Sequence, residues 1–173
     1  MMGGAEAARL VHPIPPVAGP EARVLILGSF PSVKSRQAGF YYAHPQNRFW
    51  RVLAGVYGAD CPGTVAEKTA FLHHRHIALW DVIESCEITG SSDASIRNVR
   101  VNDLAGLLDR APIRAVFLNG KTAQRLYLRH AAGSIPLPCR VLPSTSPANA
   151  SWSLERLITA WQVLREWTGE DRK

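Results

Sequence analysis

Three cysteines in 173 residues, Cys61, Cys86 and Cys139, are too few and too scattered to staple a fold, and no two form a C-x-x-C pair. A redox pair, an iron–sulfur cluster and a structural zinc are excluded on that ground, and a reducing compartment is expected. No apolar run is long enough to cross a bilayer, and Pro13, Pro15, Pro16 and Pro20 interrupt the stretch where a signal peptide needs unbroken apolar residues. A cytoplasmic protein away from the membrane is the expectation. Neither G-x-G-x-x-G nor G-x-x-x-x-G-K-[ST] occurs, which argues against a dinucleotide or nucleotide triphosphate cofactor. H-E-x-x-H and G-x-S-x-G are missing too, and His73, His74 and His76 cluster without a partnering cysteine, so neither a metal nor a serine-hydrolase elbow is expected.

Acidic residues are the scarcer charge. Fourteen Asp and Glu against twenty Lys and Arg leave a net charge of +6, with a pI near 9.7. Such a balance suits a surface that attracts polyanions such as nucleic acid, without identifying one. At 46% hydrophobic and 20% charged residues, the composition is that of an ordinary soluble chain with one substantial core.

What the chain does contain is an alternation. Residues 1–22 hold four prolines and no sustained period, and are expected to form an arm that lies on the domain or is partly disordered. A single domain is expected over 23–168, followed by a tail at 169–173. RVLILGSF (23–30), HIALWDVI (76–83), IRAVFLNG (113–120) and CRVLP (139–143) read as strands buried on both faces. Helical stripes lie between them. One is expected to open at Pro45, run through Phe49, Trp50, Leu53, Val56 and Tyr57, and stop at Gly58. Thr64 and Glu67 make a capping box for a short helix toward His74, Asn102 or Asp103 starts another, and Lys121–Ala132 ends at Gly133. Ser153 caps the last helix, whose apolar face carries Leu154, Leu157, Ile158, Trp161, Leu164 and Trp167.

This order predicts a three-layer α/β/α fold with a central four-stranded, mostly parallel sheet, and ligands bind such sheets beyond the strand C-termini. Four loops fall there: GSFPS, WDVIES, LNGKT and LPSTSPANA. Each alone also fits an ordinary strand-to-helix turn.

GSFPS followed by GFYYAHPQNRFW (39–50) resembles the N-terminal signature of the uracil-DNA glycosylase superfamily, and most of all its hypoxanthine (deoxyinosine) DNA glycosylase branch. The likeness continues through LWDVI, SCE and GSSDASI, FLNG and LPSTSPANA, and so spans nearly all of 23–168. It implies base flipping and hydrolysis of a sugar–base bond by a monomer acting on damaged DNA, with no cofactor. By the same resemblance Gly28, Ser29, Phe30, Pro31 and Ser32 form the loop beneath the scissile bond. Mismatch and uracil enzymes hold a catalytic Asn or Asp where this chain has Phe30, and an apolar ring cannot orient water.

The resemblance transfers that work to Asn47. In the first turn of a helix opening at Pro45, its amide would hold a water or stabilise the departing base, although it also suits the capping of nearby backbone groups. Tyr42, with Tyr41 beside it, matches the aromatic that stacks on the extruded base, whereas Phe49 and Trp50 belong to the core stripe. His44 is a candidate proton donor or merely a helix-entry residue. Asp81 stands where uracil enzymes read the base edge with Asn. A carboxylate there accepts from the N1–H of hypoxanthine and repels the bare N1 of adenine; the alternative is a strand-end cap. Asn119 fits either a further base contact or the turn before Gly120. In LPSTSPANA, Ser144, Thr145, Ser146 and Pro147 match the loop that enters the minor groove. Lys34, Ser35, Arg36, Lys121 and Arg125 are candidate phosphate contacts or plain surface residues. Two rivals stand beside the hypoxanthine reading: a uracil or mismatch glycosylase of the same fold, and a catalytically silent DNA-binding module.

Overall fold

The expected strands each begin and end within a few residues of their apolar runs. The computed structural model describes residues 8–89 and 93–169, so the first seven residues of the arm, the Gly90–Ser92 part of GSSDASI and the tail beyond Gly169 lie outside the described residues. In chain order the elements are β1 (Ala8–Val11), β2 (Val24–Gly28), α1 (Val33–Ala38), α2 (Phe49–Tyr57), α3 (Val65–His74), β3 (Ile77–Asp81) and β4 (Ile83–Ile88). These are followed by β5 (Arg97–Val101), α4 (Leu104–Leu108), β6 (Ala115–Asn119), α5 (Lys121–His130), β7 (Cys139–Leu142), α6 (Leu154–Trp161) and α7 (Leu164–Thr168).

Four strands pair in parallel in the order β3-β2-β6-β7. Alternate side chains bury on opposite faces, as the period of a strand requires. Val24, Ile26, Ile77, Leu79, Ala115 and Phe117 pack against α2, α3 and α6, with Trp161 at the centre of that layer. Leu25, Leu27, Ala78, Val116 and Leu118 face the other way, onto α4, α5 and the buried side of β4. The three-layer α/β/α expectation therefore holds, with one addition.

The addition is a second sheet, antiparallel, in the order β1-β4-β5. The expected single strand 76–83 divides at Val82, because the chain leaves the parallel sheet and enters the second one there. Asn102 staples the crossing: its Nδ2 donates to the carbonyls of Asp81 (2.9 Å) and Ile83 (3.1 Å), and its own N–H donates to Val82 (2.9 Å). Val82 and Ile83 in turn donate to the carbonyls of Gly28 and Ser29.

The arm is a structural part of the protein. β1 pairs with β4, and Val17 exchanges two backbone hydrogen bonds with Leu79, covering the outer edge of β3. The capping box of α3 forms as expected, with both the Thr64 and Glu67 bonds in place. Three helices differ from expectation: α2 starts at Phe49 rather than Pro45, α5 stops at His130 with Gly133 inside a separate 3-10 turn (Ala132–Ser134) instead of capping it, and the last helix divides after Trp161.

Replacing Asn102 by Ala strands two carbonyls at the strand crossing and is expected to cost about 2 kcal/mol of stability in urea unfolding. Asp at the same position, which can only accept, is expected to be no better.

Candidate active site

Parallel pairing brings Gly28, Asp81, Asn119 and Leu142 to one end of the sheet, where they line a cavity of ≈ 1060 Å³. The loops after β2, β6 and β7 and the segment before α2 form its walls, so three of the four loops singled out by sequence converge at this end; the fourth, WDVIES, runs straight into β4 and contributes Asp81 alone. Among the described residues no cluster of three His, Cys, Asp or Glu side chains comes together to hold a metal.

Asn47 lies in the wall, two residues ahead of α2 instead of inside its first turn. The segment 44–48 is held by other bonds than a helix: Asn47 N–H donates to the His44 carbonyl, Gln46 N–H to His44 Nδ1, and Arg48 N–H to the carbonyl of Thr145. Asn47 Oδ1 accepts from Phe49 N–H (2.9 Å) and from the Thr145 hydroxyl (2.9 Å). Both sides of that oxygen are thus occupied. The amide nitrogen, a donor, is left for the cavity.

The bond from Thr145 belongs to a relay. Asn119 Nδ2 donates to Thr145 Oγ1 (3.0 Å) and to the Tyr42 hydroxyl (3.2 Å), while Asn119 Oδ1 accepts from Thr145 N–H (3.1 Å). A backbone N–H therefore fixes each carboxamide's direction. Thr145 is 0% exposed, so it connects two amides inside the protein and offers no hydroxyl to the surface, contrary to its expected DNA contact. Ser35 departs from expectation in the same way: it is buried, accepts from the Ser32 hydroxyl and Ala43 N–H (3.2 Å each), and anchors the Tyr42 loop.

Tyr42 occupies a left-handed backbone conformation, φ 52°, uncommon for a residue with a Cβ. The turn sends its ring to the cavity wall, stacked on Phe49 with centroids 4.0 Å apart and planes at 18°. Burial, reinforced by the negative charge of Asp81, pushes its phenol well above the usual tyrosine range, so the hydroxyl stays protonated and the ring neutral. Tyr41 borders the same space but is almost fully buried. Its hydroxyl donates to the carbonyl of Pro15 (2.8 Å), which ties it to the arm more than to any ligand.

Asp81 sits on the cavity floor, 4% exposed. Its Oδ2 is 2.7 Å from Nε2 of His12, a residue that sequence reasoning assigned to the arm and to no function. A Cβ at Gly28 would collide with Asp81 Oδ1 and come within 2.9 Å of the Tyr42 hydroxyl, so this strand end admits only glycine. Phe30 packs edge-on to His12 (5.9 Å, 87°) beneath the Arg36 guanidinium (5.6 Å).

Arg48 was also passed over. Its guanidinium donates to the carbonyls of Trp152, Ser146 (3.3 Å) and Asn149 (3.0 Å), clamping the loop after β7. Pro147 and Ala148 are left exposed at the tip of that loop. Ser144 and Ser146 accept from backbone N–H groups within it, at Ser146 and Ala148 respectively. Lys121 is exposed on the cavity rim, Ser32 caps α1, His44 lines the wall, and Lys34 and Arg125 are exposed outside the wall.

A family model described as the Uracil DNA glycosylase superfamily matches residues 15–165. A protein of Methanosarcina acetivorans named Hypoxanthine DNA glycosylase is 34% identical over 154 residues, 87% of this chain and 94% of that protein. One of the same name from Methanosarcina barkeri is 36% identical over 109 residues, 62% of this chain and 69% of its own. A solution NMR structure of a candidate uracil DNA glycosylase from Methanosarcina acetivorans has a TM-score of 0.74 at 31% identity, covering 88% of this chain and 96% of that one. The family match takes in all four strands of the parallel sheet and reaches the closing helices, and the chain belongs to the uracil DNA glycosylase superfamily.

Proposed function

We propose that this protein excises hypoxanthine from DNA, flipping deoxyinosine out of the duplex and hydrolysing its sugar–base bond to leave an abasic site. One observation carries the reading: a buried carboxylate, Asp81, on the floor of a cavity walled by Tyr42 and Asn47. Hypoxanthine offers an N1–H to such an acceptor, whereas adenine turns an unprotonated N1 toward it. The two relatives named Hypoxanthine DNA glycosylase point to the same base.

In this mechanism the tyrosine ring, backed by Phe49, stacks on the flipped base, an interaction worth roughly 1–3 kcal/mol that holds any base without identifying it. Asp81 identifies it. Negative charge builds on the base as the bond to the sugar breaks, and a preorganised N–H donor at that point lowers the barrier. Asn47 Nδ2 is that donor, its direction set by the two bonds to its oxygen; the alternative role for the amide is to hold a water. His44, whose Nδ1 accepts from Gln46 N–H, is held as the neutral ring and presents an Nε2–H at the wall that donates a hydrogen bond to the departing base rather than a proton. The exposed tip at Pro147 enters the minor groove, while the Ser144 and Ser146 hydroxyls, Ser32, Lys34, Arg36 and Lys121 meet phosphates. Flipping costs a few kcal/mol and least at a mispair, which adds selectivity.

Uracil is the second reading, because its N3–H also suits a carboxylate acceptor. Duplexes carrying deoxyinosine, deoxyuridine, deoxyxanthosine or ethenodeoxycytidine separate the two. Hypoxanthine is expected to be released fastest, and faster release of uracil overturns the hypoxanthine reading in favour of the second one.

Asn47→Ala is expected to lower single-turnover base release by about 100-fold or more while DNA binding persists. A silent binding module would release no base before or after the change. DNA affinity is expected to fall steeply as salt is raised, from displaced counterions, and a flat response contradicts the phosphate contacts.

A further inference from the structure

His12 reaches Asp81 from behind the cavity floor, on a segment none of whose described residues lines the cavity. Its side chain is 2% exposed, and the backbone around it is fixed on both sides, by His12 N–H to the Glu84 carbonyl (2.6 Å) and by the Val17–Leu79 pair. Phe30 and Tyr41 hold the ring at centroid distances of 5.9 and 6.0 Å. Nδ1 accepts from Ile14 N–H (3.2 Å), and a nitrogen that accepts cannot carry a proton. The hydrogen is then on Nε2, and Nε2 donates to Asp81 Oδ2 (2.7 Å).

We infer that His12 is a positioning residue for base selection: it fills one oxygen of Asp81 with a donor and leaves Oδ1 as the acceptor that the flipped base meets. The inference rests on the proposed reading of hypoxanthine by Asp81. Oδ1 lies against Gly28 and near the Tyr42 hydroxyl, and among the described residues no donor bonds to it. A buried carboxyl deprived of a donor tends to take up a proton and becomes a hydroxyl that can donate. Such a group would accommodate a ring nitrogen with a bare lone pair. By donating to Oδ2, His12 keeps the site restricted to bases with a ring N–H, so the arm sets which purine is excised.

The test compares deoxyinosine with 2′-deoxynebularine, whose unsubstituted purine has a bare N1, in otherwise identical duplexes. His12→Phe keeps a ring against Phe30 and removes the donor; His12→Gln restores an N–H near the Nε2 position. The ratio of kcat/KM for the two bases is expected to fall by about tenfold or more in His12→Phe and to recover in His12→Gln. An unchanged ratio in His12→Phe, an equal loss on both bases, or no recovery in His12→Gln overturns the inference, with folding followed by near-UV circular dichroism. Should His12→Phe fail to fold, nitrogen-15 imidazole shifts of the wild type decide. The Nε2–H tautomer is expected, and an Nδ1–H tautomer or a doubly protonated ring overturns it. A wild type that releases no hypoxanthine defeats the base assignment itself. A wild type that releases it, paired with a variant that keeps the ratio, defeats only the part given to His12.

Discussion

Two backbone N–H groups, those of Phe49 and Thr145, decide which way the polar side chains of the cavity point. An isolated carboxamide presents oxygen or nitrogen with equal ease. Here Phe49 N–H claims the Asn47 oxygen and Thr145 N–H claims the Asn119 oxygen, so both NH₂ groups are turned the other way. The Thr145 hydroxyl joins the two, accepting from Asn119 and donating to Asn47. Because both amide oxygens and the hydroxyl between them have their partners inside the protein, the amide directions are set before any ligand arrives, which is the preorganisation that the proposed bond cleavage requires.

The sheet supplies the frame for this relay. Parallel register sets Gly28 beside Asp81, and the absence of a Cβ at Gly28 gives the carboxylate and the Tyr42 hydroxyl their room. The left-handed turn at Tyr42 separates the duties of two adjacent rings, one locking the arm and the other walling the cavity. Such a conformation and a buried carboxylate each cost stability locally, and both are tolerated because the surroundings over-determine them. Asn102 and Arg48 do that work from outside the cavity, by fixing a strand crossing and a loop through main-chain carbonyls.

What the amino-acid order reveals is mostly what short-range physics determines. The parallel strands announce themselves as unbroken apolar runs, and the α3 capping box is complete within four residues. The second sheet is less visible, because β1 meets β4 from far along the chain, and β5, although it follows β4 closely, is partly exposed and carries no strong period. Pro45 suits a helix start by local rules, yet Arg48 N–H is taken by the Thr145 carbonyl and the helix begins later. Asn47, Tyr42 and Asp81 were legible only through resemblance to a known motif. Thr145 looked like a surface hydroxyl because its neighbours are Ser and Pro, and its burial is a tertiary fact. His12 had no signal at all: it lies in a proline-containing segment, 69 residues from its partner.

Thr145→Val keeps the shape of the side chain while removing the hydroxyl that joins Asn119 to Asn47, so it separates held amides from merely present ones. The decisive quantity is the single-turnover rate of hypoxanthine release by this variant. A fall of about tenfold or more, with DNA affinity close to wild type and the variant, though lower-melting, fully folded at the assay temperature, is the outcome that a preorganised Asn47 donor requires. A rate within about twofold of wild type would mean that the direction of the Asn47 amide does not govern bond cleavage.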